Sequence, residues 1–433
     1  MPSWRAGFAE TDMTPANHES FLCAYGMERY ATGRIGPLKV QALALEDARK
    51  RRSLIVTGDV SGFERTAVDA MRFRFERDYA VKPQSVMFCA SHTHFGPGVQ
   101  LRMLPYCGVA NPWYVARFEK MIHATVGRAL EDLSAAQVNY GAADTAIGCN
   151  RRLPNKTGRV PLGMRPNPDG HYDRHTPVFH VKRRGRKHDI ILVSHACHPT
   201  STGVYDKWSP DYPGHMRDEI EKQTGAKGMF AQGCGGDAKV CKVDRKNGET
   251  VFVADKAGCR RAGLALAKTA LAIVNGGDMI ALPAQLVCRE KAGFLKIAKA
   301  ETEAELRRIA TEGDLNSYYT WTARQLLEFP GGNRDRVPYR VQSFTFGKTL
   351  TLLGLEGEVC SPLAPMARAI PKTKHTAVFG YCNDTLCYIP TRRILWEGGY
   401  EADHRTGGLR GPFTSTIDSD IKRMVRQSLE THR

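Results

Sequence analysis

No stretch of the 433-residue chain approaches the run of about 18 uninterrupted apolar residues that a membrane-spanning helix needs. The opening, MPSWRAGFAETDMTP, lacks the basic-then-apolar profile of a secretory signal. The twelve cysteines contain no CxxC pair, and a chain of this length does not need disulfide staples. They read as reduced residues of a core or a site, so a cytoplasmic setting is expected. HExxH is absent. GKT at 347–349 has no upstream glycine to complete a phosphate loop, and GCGGD at 233–237 does not match a dinucleotide fingerprint, so neither supports nucleotide binding. No repeat or low-complexity linker divides the chain.

Cationic residues are in excess: 62 Lys and Arg stand against 45 Asp and Glu, a formal net charge of +17. Such a balance suits nucleic acid, a membrane surface or an acidic substrate. The basic residues are spread out, however. The densest clump, KRRGRK at 182–187, sits between the β-like runs VFHV and DIILV, where a solvated hairpin turn accounts for it. No recognition-module signature is present, and no nucleic-acid partner is expected.

With 42% hydrophobic and 25% charged residues the chain can bury a large core. Strands are expected at 53–60, 84–91, 189–196 and 228–232, and helices at 65–79, 111–133, within 211–223 and at 257–274. In the 111–133 helix Val115, Phe118, Ile122, Val126, Ala129 and Leu130 recur at helical spacing. Beyond about residue 279 the texture changes to longer β-like runs, at 279–290 and 341–359, with helical sequence at 302–313 and 318–329 between them. The alternation implies one contiguous α/β domain over residues 1–433, with mixed β-sheets flanked by helices.

SHTHFGPG at 91–98 places His92 and His94 directly after an expected strand, at the carboxyl end where α/β proteins gather their chemistry. SHACHPTSTG repeats the pattern with His195 and His198, and LLGLEGEVCSP brings Glu358 just past a third apolar run. Two imidazoles and a carboxylate from separate strand ends suit an open catalytic zinc site with a position left for water. A core histidine with a chance neighbour would leave the same letters, and Glu358 could equally end a strand in solvent. Spacing alone leaves both readings open.

These residues belong to a longer ordered set. SHTHFGPG resembles the THTHSGPGG-type motif of neutral ceramidases, the zinc-dependent amidases that split ceramide into sphingosine and a fatty acid. GFAETDMTP with GPLKVQALALED is similar to that family's opening strands, NRR at 150–152 to its NRS, and HPTS at 198–201 to its HGTS or HPTS. AQGCGGD resembles AQSNxGD, GEV at 357–359 resembles the PGEF element, and YIPTRRILWEGGYE resembles YITTxEEYxxxxYEG. The matches fall in the family's order and span nearly the whole chain.

The resemblance implies a ceramidase-like catalytic domain with Zn2+ held by His92, His198, Glu358 and Tyr388. It implies catalytic roles for His94, in proton transfer or orientation, and for Arg151 and Tyr400, in holding the oxyanion or substrate. One such donor can be worth roughly 3 kcal/mol of barrier. Asn150 and Lys239 are the expected substrate contacts.

Two departures shape the expected substrate. Where the family pattern continues GDxSPN, this chain reads GDAKVCK, so Lys239 takes the serine's place and could meet an anionic group. The chain also closes in what reads as a terminal helix, DIKRMVRQSLETHR, where the family carries an immunoglobulin-like domain. The expected activity is zinc-dependent hydrolysis of an amide (N-acyl) bond in a small or lipid-like substrate. An ester or lactone hydrolase on the same metal site, and a metal-retaining binding protein without turnover, are the alternatives. A full ligand set with an open position favours the enzyme.

Overall fold

Strands that are apolar on both faces need cover on both sides, and here helices cover one face and a second sheet the other. The computed structural model describes residues 3–430 apart from 17, 24–28, 103–107, 315–316 and 329–334. The chain opens with β1 (Trp4–Asp12), β2 (Lys39–Glu46), β3 (Arg52–Gly58), β4 (Val86–Ala90), β5 (Ser134–Asp144) and the short β6 (Gly148–Asn150). There follow β7 (His175–Arg183), β8 (Ile190–His195), β9 (Lys227–Gln232), β10 (Ala238–Val243), β11 (Thr250–Phe252) and β12 (Ile280–Ala281). The last strands are β13 (Leu286–Lys296), β14 (Arg336–Phe346), β15 (Leu350–Leu355), β16 (Glu358–Val359), β17 (His375–Phe379) and β18 (Tyr388–Ile389). Between them lie α1 (Arg65–Tyr79), α2 (Pro112–Glu131), α3 (Asp211–Thr224), α4 (Lys256–Asn275), α5 (Glu303–Glu312), α6 (Tyr318–Glu328), α7 (Leu363–Arg368) and α8 (Arg392–Glu397), with α9 (Ile417–Leu429) closing the series.

One sheet runs β4-β3-β2-β1-β5-β7-β8-β9, with β12 beside β5, and a second runs β13-β14-β15-β17. β3 and β4 are parallel, as are β8 and β9; α1 and α3 make the respective crossovers. Period-two alternation then divides the side chains. Val86, Phe88 and Ala90 of β4 pack toward α1 and α2, whereas Met87 and Cys89 pack toward the second sheet. In β8, Ile191 and Val193 join α3 and α4, and Ile190 and Leu192 join the second sheet. The outer face of that sheet, with Val337, Tyr339, Val341, Leu353 and Leu355, is covered by Ile421, Met424 and Val425 of α9. Helices, sheet, sheet and helices thus form four layers, a mixed α/β architecture.

The local expectations mostly hold, with physical reasons where they do not. α2 begins where the Asn111 side chain accepts from Trp113 N with Pro112 in the first turn. The run at 279–290 is two strands, not one. It breaks at Pro283, which has no N–H to offer a ladder, and β12 pairs in the first sheet while β13 pairs in the second. The run at 341–359 likewise divides at Gly347, whose φ of 55° makes the β14–β15 turn. The basic clump is the end of β7 and the turn into β8, and Arg183 and Arg186 both pair with Asp132. Residue 329 of the helix expected at 318–329, and residues 431–433 of the expected terminal helix, lie outside the described residues. Among the described residues no helix is long and apolar enough to cross a membrane.

Candidate metal centre

The chain leaves β4 and turns sharply at His92, whose φ of 63° is left-handed. Ser91 N donates to Gly58 O and His92 N to Val60 O, which stitches the turn to the end of β3. On the other parallel pair, His198 N donates to Ala238 O, and His198 pairs with the backbone of Lys239. Glu358 and Tyr388 arrive together, because β16 and β18 pair in parallel with these two residues opposite each other. Separate strand ends therefore deliver their side chains to one place.

Glu358 Oε2 lies 3.3 Å from His92 Nε2 and 3.2 Å from His198 Nε2. His94 Nε2 lies 3.1 Å from His92 Nε2, and ligating atoms of His92, His94 and His198 fall within 4.8 Å of one another. A tetrahedron with metal–ligand bonds of about 2.0 Å has edges of about 3.3 Å, so these separations are those of ligands that share an ion. The tautomers are set from behind. His92 Nδ1 is 2.5 Å from Ser61 O and His198 Nδ1 is 2.7 Å from Gly235 O. A carbonyl can only accept, so each Nδ1 carries the hydrogen and each Nε2 presents its lone pair. Lone pairs and a carboxylate facing one another repel unless a cation lies among them. This donor set fits a divalent ion such as zinc.

Electrostatics act in the same direction. Burial, aided by the charge of Arg151, pushes His198 down to about 3. Burial together with His92 and His198 pushes His94 well below the imidazole range. His94 and His198 are thus neutral at pH 7, the state in which an imidazole ligates or accepts a proton.

Arg151 is only 3% exposed. Its Nη2 donates to Tyr388 Oη at 3.1 Å and its Nε to Glu401 Oε1 at 2.7 Å, while Arg152 Nη1 donates to the other oxygen of Glu401 at 2.5 Å. Burial opposes the charge on Arg151, yet Tyr388 and Glu401 raise its pKa well above the ordinary value. The Tyr388 ring stacks on His198 with centroids 6.4 Å apart and meets Tyr400 edge-on at 5.5 Å. The Arg151 guanidinium carbon lies 5.5 and 5.9 Å from those two phenol rings. Arg151, Tyr388 and Tyr400 form one block against the histidines.

Other candidates are placed differently. The Asn150 amide donates to His171 O at 2.8 Å and to Asp237 Oδ2 at 3.2 Å, and its oxygen accepts from Arg152 N, so it braces the loop that carries Arg151. The Lys239 ammonium lies over the Phe252 ring at 5.1 Å, and burial with the charge of Arg151 lowers its pKa. His195 stays in the core, with Nε2 2.5 Å from Tyr172 Oη and Nδ1 3.0 Å from Thr176 Oγ1. Sequence reasoning missed Glu401 and Tyr381, whose ring centroid is 4.3 Å from that of His92. Two consecutive buried arginines do demand a carboxylate, but a partner 250 residues away leaves no local signature.

No family model matches the chain, and no curated relative matches it. Among solved structures, the neutral ceramidase from Pseudomonas aeruginosa superposes with a TM-score of 0.75 at 19% identity, over 99% of this chain and 74% of that one. A ceramidase complexed with C2 gives a TM-score of 0.75 at 17% identity, over 99% of this chain and 75% of that one. The chain has the fold of these ceramidases.

Proposed function

We propose that the protein is a zinc-dependent hydrolase that cleaves an N-acyl amide bond. The observation that carries the reading is the triangle of His92, His198 and Glu358, with both Nδ1 atoms committed to backbone carbonyls and a buried arginine alongside. His92, His198 and Glu358, with Tyr388, would hold Zn2+, which when bound supplies Lewis acidity and water activated near neutral pH. The chain's own residues do the rest. Arg151 is oriented by Glu401 and Tyr388 and cannot lose its charge, so it offers a preorganised donor for the acyl oxygen as that atom becomes negative. Tyr400 borders the same space. His94, neutral and 3.1 Å from His92 by its Nε2, accepts a proton as the nucleophile adds and returns it to the departing amine.

The similarity to ceramidases supports a lipid-like amide as substrate. The test is metal analysis of the purified protein with a hydrolysis panel of N-acyl amides from short to sphingoid, using Glu358→Ala as control. About one zinc per chain, with amide cleavage that the control loses, is the expected result. Bound zinc without turnover of any amide, or no zinc at all, would overturn the reading.

A further inference from the structure

Tyr381 lies in the segment that leaves β17 and crosses the end of β4. Its carbonyl accepts from Ala90 N at 3.3 Å and its N–H donates to Gly357 O at 3.1 Å. One residue thus ties the strand end that precedes His92 to the turn that precedes Glu358. To do so Tyr381 takes a φ of 53°, a left-handed conformation that a bulky residue adopts only under strain. Its ring is fully buried, with its centroid 4.3 Å from that of His92 and 6.2 Å from that of His198. The hydroxyl, also buried, has no hydrogen-bond partner among the described residues.

Phenylalanine would fill the same space without burying an unpaired hydroxyl, which is unfavourable because the lost water is not replaced. Strain and an orphaned donor at one residue, against a proposed metal ligand, are what a site held ready for a ligand oxygen would show. The ionisable groups acting on the hydroxyl are Glu358 first, then Tyr388, Arg151 and Cys360.

We infer that Tyr381 is a further catalytic residue, whose O–H donates a hydrogen bond to the substrate's acyl oxygen beside His92. The inference rests on the zinc-hydrolase reading. Tyr381→Phe keeps the ring and removes only the O–H. The zinc-loaded protein and this variant are titrated calorimetrically with acetohydroxamate, whose oxygens mimic the charged acyl oxygen, and zinc content and melting temperature are measured for both. The expected result is equal zinc, an unchanged or raised melting temperature, and acetohydroxamate affinity weaker by tenfold or more. For any amide that is cleaved, kcat falls by a similar factor with KM unchanged. Equal acetohydroxamate affinity overturns the inference and leaves the zinc-hydrolase reading standing. Loss of zinc from Tyr381→Phe also overturns it, by assigning the phenol to holding His92. A wild-type protein without zinc overturns both.

Discussion

After β4 the chain offers His92 and His94, and β8 ends in His195 with His198 beyond it, in both cases at the carboxyl end of a strand in a parallel pair. Three of these four imidazoles gather beside Glu358, and His195 does not. The reason is where each strand stops. His195 is still the last residue of β8, so it follows Val193, two positions back, toward α3 and α4. His92 lies past the end of β4, with a left-handed φ that releases it from the alternation, and His198 lies three residues past β8. Histidines at two strand ends thus join the cluster beside Glu358 or stay in the core according to whether the residue still obeys the strand.

The sharpest way to break this comparison is to remove one histidine of each kind. His198→Ala should lose zinc, and activity should fall on the order of a thousandfold or more. The check is zinc content and amide turnover; a variant that kept both would place His198 with His195. The next largest effect is on stability, at the charges behind the site. Glu401→Ala leaves Arg151 and Arg152 as buried guanidiniums without their shared carboxylate, which should cost about 3–5 kcal/mol by denaturant titration. A loss below about 1 kcal/mol would mean that water replaces Glu401 and that Arg151 is not rigidly held.

The difference between the strand ends also marks what was legible in the chain. Apolar runs and helical periodicity are local, so β4, β8 and α2 could be read within a few residues, and with them the loops that carry His92, His94 and His198. Whether an imidazole enters a site or a core depends on one residue of strand length, which periodicity does not resolve. Glu358 and Tyr388 could be named from short motifs. Their pairing across β16 and β18 depends on chain folded back over thirty residues, and the bond from Arg151 to Glu401 on closure over 250. Tyr381 was invisible for a different reason: its position follows from a strained backbone, and residue type alone does not foretell a left-handed φ.

A smaller effect sharpens the comparison from the core side. His195→Leu keeps the volume but leaves the Tyr172 hydroxyl and Thr176 without their shared partner, at about 1–3 kcal/mol of stability, with zinc content unchanged. Loss of zinc from this variant would show that the two strand ends are one unit.

The same substitution also changes a slope with pH. Burial pushes His195 down to about 4 from its ordinary 6.5, so the folded chain keeps the ring neutral where the unfolded chain has already taken up a proton. Between those values the unfolded state binds more protons, and stability must fall as the pH drops from about 6.5 to about 4. The contribution is fully present above 6.5 and is lost at up to about 1.4 kcal/mol per pH unit on the way down. His195→Leu removes this proton uptake. Denaturant titrations at pH 7, 6 and 5 should therefore show the variant's deficit shrinking with acid, because the wild type loses a contribution that the variant never had. A deficit that stays constant with pH would mean that His195 takes up its proton in the folded chain at the same pH as in the unfolded one. The bonds to Tyr172 and Thr176 would then serve a charged ring once the pH falls below about 6.5.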